Sequence, residues 1–324
     1  MRTLTIAPLG LRAALVAGAI AAVVLALPAQ AKPAPKPGPA AAPAGPKGPT
    51  LDRIKANQAI RLGYRTDARP FSFKDGSGNP SGYSVALCRN VATAIQQALG
   101  LQKMDVTWVP VDVMQRFQAV QQGGVDIFCG ADTRTIARIQ DVTFSLPIYP
   151  GGIGAMVRSD APARLVQVLS NKPRTEPVWR ASAGQLLTAQ TFTVVEGTTA
   201  QPWLAGKLST FQLQANVVTA KTYDEGLLAL LDRKSNVFFA DRAILLDYAQ
   251  RQTPKGQLTV IDRNFTYETY SLTMARGDGE LRVIVDRTLA RFYATPAFWS
   301  LYEQWFGAPD AAEKAFFAWT ALPE

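Results

Sequence analysis

The sequence predicts an α/β protein built of two lobes. Three observations carry that expectation. Strand and helix patterns alternate from Leu51 to Ile261, as in parallel-type sheets covered by helices. The alternating units fall into two groups, Leu51–Tyr149 and Gly152–Ile261. The helices that close the chain have no strands of their own group beside them, so they are expected to return to the first lobe, which gives two crossings between lobes.

The chain has 324 residues, 48% hydrophobic and 18% charged, a globular composition with ample material for a core. Its start is a separate matter. Arg2 and Arg12 make a positive beginning, Ala13 to Leu27 is an apolar run, and Ala29-Gln30-Ala31 has the small-x-small form of a cleavage site. Residues 1–31 therefore form a secretory signal peptide, cut after Ala31, with an apolar run too short to span a bilayer. Residues 32–49 alternate Pro with Ala, Gly and Lys, the composition of a flexible linker. No later stretch is expected to cross a membrane, so the mature protein is expected to be exported and soluble.

The folded part is expected from residue 50 on, with residues 50–149 and 269–324 in lobe 1 and residues 150–268 in lobe 2. Leu51–Ala56 has a helical pattern and Ala59–Tyr64 that of a strand. Arg65–Pro70 is the loop beyond it, and Phe71 to Gly82 forms a hairpin around the turn-rich Asp75–Pro80. A helix runs from Ser84 to Leu99 with Val85, Leu87, Cys88, Val91, Ala92 and Ile95 on one face. Val106–Val111 is a strand, and Met114–Gln121 a helix closed by Gly123-Gly124. Val125–Cys129 is a buried strand ending in Gly-Ala-Asp-Thr, where Asp132 or Thr133 caps a short helix.

Val142–Tyr149 is an extended connector and Ile153–Arg158 a strand. Ala161–Ser182 reads as an irregular surface insertion, followed by a weak helix over Gln185–Gln190. The β-α rhythm resumes with the strand Thr191–Val195 and a helix opened by Gly197-Thr198-Thr199. It continues through the strands Asn216–Thr219 and Asn236–Phe239 and the helices Tyr223–Arg233 and Ala243–Arg251. Leu258–Ile261 and Thr269–Met274 are the last strands. Helices over Glu280–Tyr293 (capped by Asp278), Pro296–Phe306 and Ala311–Trp319 end the chain.

Composition excludes several chemistries. The chain has no His, which removes His-based nucleophilic triads and the usual zinc ligand sets; no metal and no cofactor are expected. The formal charge of +9 falls to +7 without the signal arginines and to +4 without the linker lysines. That modest excess has no basic run with interleaved aromatics, so no nucleic acid is expected as a partner. Cys88 and Cys129 are the only cysteines. In an oxidising compartment such a pair is a disulfide or two buried thiols, and the disulfide is the favoured alternative.

Five loops lie beyond strand ends, where α/β sheets hold ligands, and together they suit a zwitterion. Arg138 can grip a carboxylate bidentately with Thr133 donating beside it. Thr198 and Thr199, at a helix start, favour an anion. Asp241 can accept from an ammonium group, and Phe71 and Phe73 can wall the site and exclude water. Each residue also has a plainer role. The threonines and Asp241 serve as helix caps, and the phenylalanines as core.

The order of these pieces resembles the family 3 extracellular solute-binding proteins, the amino-acid receptors of bacterial ABC importers. The matching pieces are RLGYRTDARPFSF with GYSVALC, then VDIFCGADTRTIARIQDVTFSLPIY, VVEGTTAQPWL, VFFADRAILL and WSLYEQWFG. The resemblance implies the type II periplasmic-binding-protein fold, with a ligand cleft between lobes joined by two crossover segments. Within the family the likeness is greatest to the glutamate/aspartate receptors. By that likeness Thr133 and Arg138 hold the α-carboxylate, Thr198 and Thr199 are donors from the second lobe, and Asp241 takes the ammonium. Arg65 and Arg116 match residues around an acidic side chain. Val113 and Ala131 stand where those receptors carry Ser, and Tyr223 where they carry His.

The resemblance implies a non-enzymatic, monomeric periplasmic protein. It would capture a polar amino acid, acidic by the nearest likeness, and pass it to a membrane permease of an ABC importer. Two alternatives stay open. One is an enzyme on the same fold, cyclohexadienyl dehydratase-like or peptidoglycan lyase-like, with Glu196 as general acid. The other is a binding module serving a sensor or oxidoreductase.

Overall fold

Two five-stranded mixed sheets organise the chain. The structure is a computed structural model that describes residues 48–171, 180–252 and 255–323; the signal peptide, nearly all of the linker and part of Ala161–Ser182 lie outside the described residues. In the first sheet the order is Asp105–Pro110, Ala59–Tyr64, Ile127–Thr133, Glu268–Ala275 and Val142–Gly151. The first three strands are parallel, and Glu268–Ala275 runs antiparallel to both of its neighbours. The second sheet repeats the plan with Asn216–Ala220, Thr191–Val195 and Val237–Asp241 parallel, followed by Ile153–Arg158 and Leu258–Val260. Ile153–Arg158 is antiparallel to both of its neighbours. The expected parallel pairing therefore holds for the three βα strands of each sheet. It fails where the chain enters or leaves a lobe, because those strands return against the rest.

Local sequence explains the central strands. Val237-Phe238-Phe239-Ala240 is buried throughout, as a strand covered on both faces requires. Ile127-Phe128-Cys129-Gly130 is buried likewise. The helix Tyr83–Ala98 turns Tyr83, Leu87, Cys88, Val91 and Ile95 to the first sheet at the periodicity expected. The bond between Cys88 and Cys129 ties this helix to the strand Ile127–Thr133, with Cα atoms 6.1 Å apart.

Several local expectations are corrected. Val142–Gly151 is a full edge strand of the first sheet, not a connector. Part of the supposed insertion is the helix Ala163–Ser170, whose Leu165 and Leu169, one turn apart, are buried in the second core; a further helix covers Arg180–Thr188. The first helix starts at Pro49, inside the expected linker. Strand Ile127–Thr133 extends past Asp132, so the cap of the next helix, Ile136–Ile139, is Thr135, whose hydroxyl accepts from the Arg138 N–H at 3.2 Å.

The two passages between lobes run side by side. The chain leaves the first sheet after Gly151 and returns at Glu268, and these two residues are partners in the ladder. Gly152 sits against the returning segment, where a Cβ would meet the Thr266 carbonyl oxygen at 2.1 Å. The Ile153 N–H donates to Thr266 Oγ1 at 2.9 Å. Tyr149 and Tyr270 stack beside the crossing, ring centroids 6.0 Å apart.

Candidate functional site

Residues from both sheets meet at one small cavity. It is lined by Arg65, Val113, Arg116, Ala131, Thr133 and Arg138 from the first lobe. Thr198, Thr199, Tyr223 and Asp241 line it from the second. Its free space is about 30 Å³, room for one or two waters, so a larger guest enters only as the lobes part. These ten side chains stand at or past the carboxyl ends of strands, where such folds expose their loops.

The three arginines have different partners. Arg65 follows the strand Ala59–Tyr64 and makes a two-pronged contact with Asp67. Its Nε donates to Oδ1 and its Nη2 to Oδ2, both at 2.9 Å. Arg116 opens the helix Arg116–Gln121; its Nε donates to Asp132 Oδ1 at 2.6 Å, and its other nitrogens donate to the carbonyls of Val113 and Gly197. Arg138 donates only to carbonyls, to Thr133 O at 2.8 Å and across the cleft to Gly197 O at 3.1 Å. Among the described residues no carboxylate forms an ion pair with Arg138. Burial lowers its pKa, and the neighbouring Arg116 lowers it further, against Asp132, Asp241 and Glu268.

Asp241 is the converse. It ends the strand Val237–Asp241 and occupies the cap position of the helix Arg242–Arg251, yet its side chain makes no cap bond. Instead it accepts from the Tyr223 hydroxyl, and the Tyr270 hydroxyl also lies against it. No cation among the described residues pairs with it. Burial pushes its pKa above the usual carboxylate range, and those two hydroxyls pull the other way.

A carboxylate that sequence reasoning missed lies behind the cavity. Glu268 Oε2 accepts from Thr133 Oγ1 of the first lobe at 2.7 Å and from Thr199 Oγ1 of the second at 2.9 Å. Its Oε1 accepts from Thr266 at 2.8 Å. A hydroxyl has one proton, so Thr133 and Thr199 turn lone pairs to the cavity in this arrangement. Thr199, at the cap position of Ala200–Thr210, makes no side-chain cap bond, and the Thr198 hydroxyl donates to Val195 O at 2.7 Å.

Two expected wall residues are elsewhere. Phe71 is fully buried among Tyr83, Tyr149, Tyr270 and Phe306. Phe73 packs on Trp305 under the Arg69 guanidinium. Phe71 lies in the turn before the short antiparallel strand Ser72–Lys74 and Phe73 within it, and this hairpin turns Phe71 into the aromatic core of the first lobe and Phe73 onto a closing helix instead of toward the cavity. Ala68, Phe128, Asp132 and Ile244 complete the lining. Glu196 is not part of it.

Outside the cavity a second contact joins the lobes. Arg69 Nε donates to Asp247 Oδ1 at 2.9 Å, and Arg251 donates to the other oxygen of Asp247 at 2.5 Å. The Arg69 guanidinium lies over the rings of Phe73 and Trp305, 4.9 and 5.6 Å from their centroids. No described helix is long and apolar enough to cross a membrane.

Comparison with known proteins agrees with this architecture. An L-glutamate/L-aspartate-binding protein of Pseudomonas aeruginosa is 26% identical over 261 residues, 80% of each chain. The ABC transporter glutamine-binding protein GlnH of Bacillus subtilis is 25% identical over 268 residues, covering 82% of this chain and 88% of its own. Among solved structures, a mutant of ArgBP from T. maritima superposes with a TM-score of 0.65 at 21% identity, over 79% of this chain and 99% of that one; this likeness is one of fold. The model of the bacterial extracellular solute-binding proteins, family 3, matches residues 60–308. The chain belongs to that family.

Proposed function

We propose that the chain is a periplasmic receptor that captures a polar amino acid between its lobes and delivers it to the permease of an ABC-type importer. The mature protein begins after Ala31, the lobes comprise residues 50–149 with 269–324 and residues 150–268, and it acts as a monomer without catalysis. One observation carries the reading. A guanidinium and a carboxylate from opposite lobes, Arg138 and Asp241, line one cavity, and neither has an ionic partner among the described residues. An α-amino acid supplies both missing charges. Its carboxylate lies on Arg138, and its ammonium donates to Asp241. Thr133, Thr198 and Thr199 border the carboxylate, the hydroxyl protons of Thr133 and Thr199 turning from Glu268 to the ligand as it enters. Arg65, Arg116, Val113, Ala131 and Tyr223 surround the side chain.

Contacts from both lobes bind the closed form better than the open one, and that difference is what drives closure. The relatives' names, glutamate/aspartate-binding and glutamine-binding, support an amino-acid ligand for this chain. The test is thermal denaturation of the mature protein with each of the twenty amino acids. A ligand that binds only the folded state raises the melting temperature by mass action. Arg138→Ala and Asp241→Ala should each remove the rise while the variant remains folded. Unchanged stabilisation in both variants refutes the assignment.

A further inference from the structure

The amino acid of the proposed function still has to present a side chain to the remaining charged groups, Arg65 and Arg116. Both guanidiniums are buried, 7% and 4% exposed, and each is already matched by a carboxylate of the chain. Asp67 takes Arg65 through two bonds and also accepts from the Tyr223 N–H at 3.2 Å, which fixes it between the lobes. Asp132 takes Arg116 at 2.6 Å and accepts from Thr273 Oγ1 at 2.9 Å on its other oxygen.

A ligand carboxylate brought to either arginine would be a second anion on a neutral, buried pair. Like charges so placed in a poorly solvated site repel strongly. A ligand ammonium fares no better, since it would compete with each guanidinium for the carboxylate that already holds it. Uncharged groups fit. An arginine has five N–H donors, and Arg65 commits only two nitrogens, so N–H groups remain for a carbonyl oxygen. Asp132 lines the cavity, and its oxygens are acceptors for an amide NH₂, while Asp67 stands behind Arg65 and outside the lining.

We infer, building on the proposed function, that the side-chain end of this site selects an uncharged carboxamide, so that L-glutamine or L-asparagine binds in preference to L-glutamate, L-aspartate or L-lysine. Asp67 and Asp132 act as specificity residues by neutralising Arg65 and Arg116.

The experiment is isothermal titration of the mature full-length protein with these five amino acids. The carboxamides should bind more tightly than their acids by about tenfold or more, the scale of a like-charge penalty. Asp67→Asn keeps a hydrogen-bond acceptor but frees the Arg65 charge, and should raise glutamate affinity by about tenfold at the expense of the preference. Asp132→Asn is the second variant should the first not fold, with the same expected shift. Glutamate, aspartate or lysine binding wild type as well as the carboxamides do overturns the inference while leaving the proposed function intact. Folded variants with unchanged glutamate affinity overturn the role given to the aspartates. Binding of none of these five overturns the inference, and only a thermal screen in which none of the twenty amino acids binds refutes the proposed function itself.

Discussion

Arg138 reaches across the cleft and donates to the carbonyl of Gly197 at 3.1 Å. Gly197 adopts φ +70°, a left-handed conformation that costs other residues about 1–2 kcal/mol, and a Cβ there would lie 2.6 Å from Met114 Sδ. Arg116 donates to the same carbonyl at 3.0 Å. Two first-lobe guanidiniums thus converge on one second-lobe oxygen. Gly197→Ala should strain this turn and displace the carbonyl that Arg116 and Arg138 share, while the exposed, flexible Met114 side chain moves aside. Amino-acid affinity is expected to fall about tenfold, equivalent to ~1.4 kcal/mol, with circular dichroism unchanged. Wild-type affinity in this variant contradicts the need for the left-handed turn.

Asp241 makes stability depend on pH. Its folded pKa is raised by burial, so the stabilisation it contributes is complete below the ordinary Asp pKa of about 3.9 and is lost as pH rises through the folded value. At neutral pH without ligand the buried carboxylate is therefore a net cost. Asp241→Asn should raise the melting temperature of the ligand-free protein at pH 7, by about 2–4 °C for each kcal/mol relieved, and the gain should shrink toward pH 3.5. The same variant should lose its response to amino acids. Equal melting temperatures for the two proteins across that pH range count against the raised pKa.

The outer contact, Arg69 with Asp247, is expected to matter modestly. Arg69 keeps 39% of its side chain exposed and Asp247 12%, and a partly exposed pair of this kind contributes about 0–1 kcal/mol; the rings of Phe73 and Trp305 lie in the same lobe as Arg69 and hold its guanidinium in place. Arg69→Ala should weaken ligand binding up to about fivefold through loss of the closed form. X-ray scattering should show a larger radius of gyration for the ligand-free variant. Raising salt should weaken wild type more than the variant; the opposite order removes Arg69 from the closure balance.

The bond between Cys88 and Cys129 closes a loop with a sequence separation of 41. The chain-entropy estimate for such a loop is about 4 kcal/mol. Reduction should lower the melting temperature by about 10 °C, and Cys88→Ala/Cys129→Ala should match the reduced protein. A change of less than a degree or two would mean that the helix and strand stay docked without it.

Much of this was legible in the sequence because ligand loops follow strand ends, and strand ends are announced by apolar runs. Val237–Ala240 points directly to Asp241, and Ile127–Cys129 to Thr133 and Arg138. What failed depended on direction in space. Phe71 and Phe73 follow a strand end just as cleft residues do, and only the turn of the hairpin sends them into the aromatic core. Glu268 sits in no motif. Its importance arises because two threonines far apart in sequence converge on it. Asp132 has the local signature of a helix cap, and its pairing with Arg116 and Thr273 is visible only once the sheet is assembled. The helix Ala163–Ser170 was hidden because only Leu165 and Leu169 mark its buried face.

The ladder that joins Gly151 to Glu268 turns the two passages between lobes into one ribbon. Paired strands flex easily across their flat face and resist shear within it, so the halves of the molecule should swing like a book on its spine and not slide or twist past each other. Such a spine keeps Arg138 aimed at the Asp241 side throughout the swing. A guest is then met by both charges along one path: whichever page it lands on first, the other arrives along the same arc.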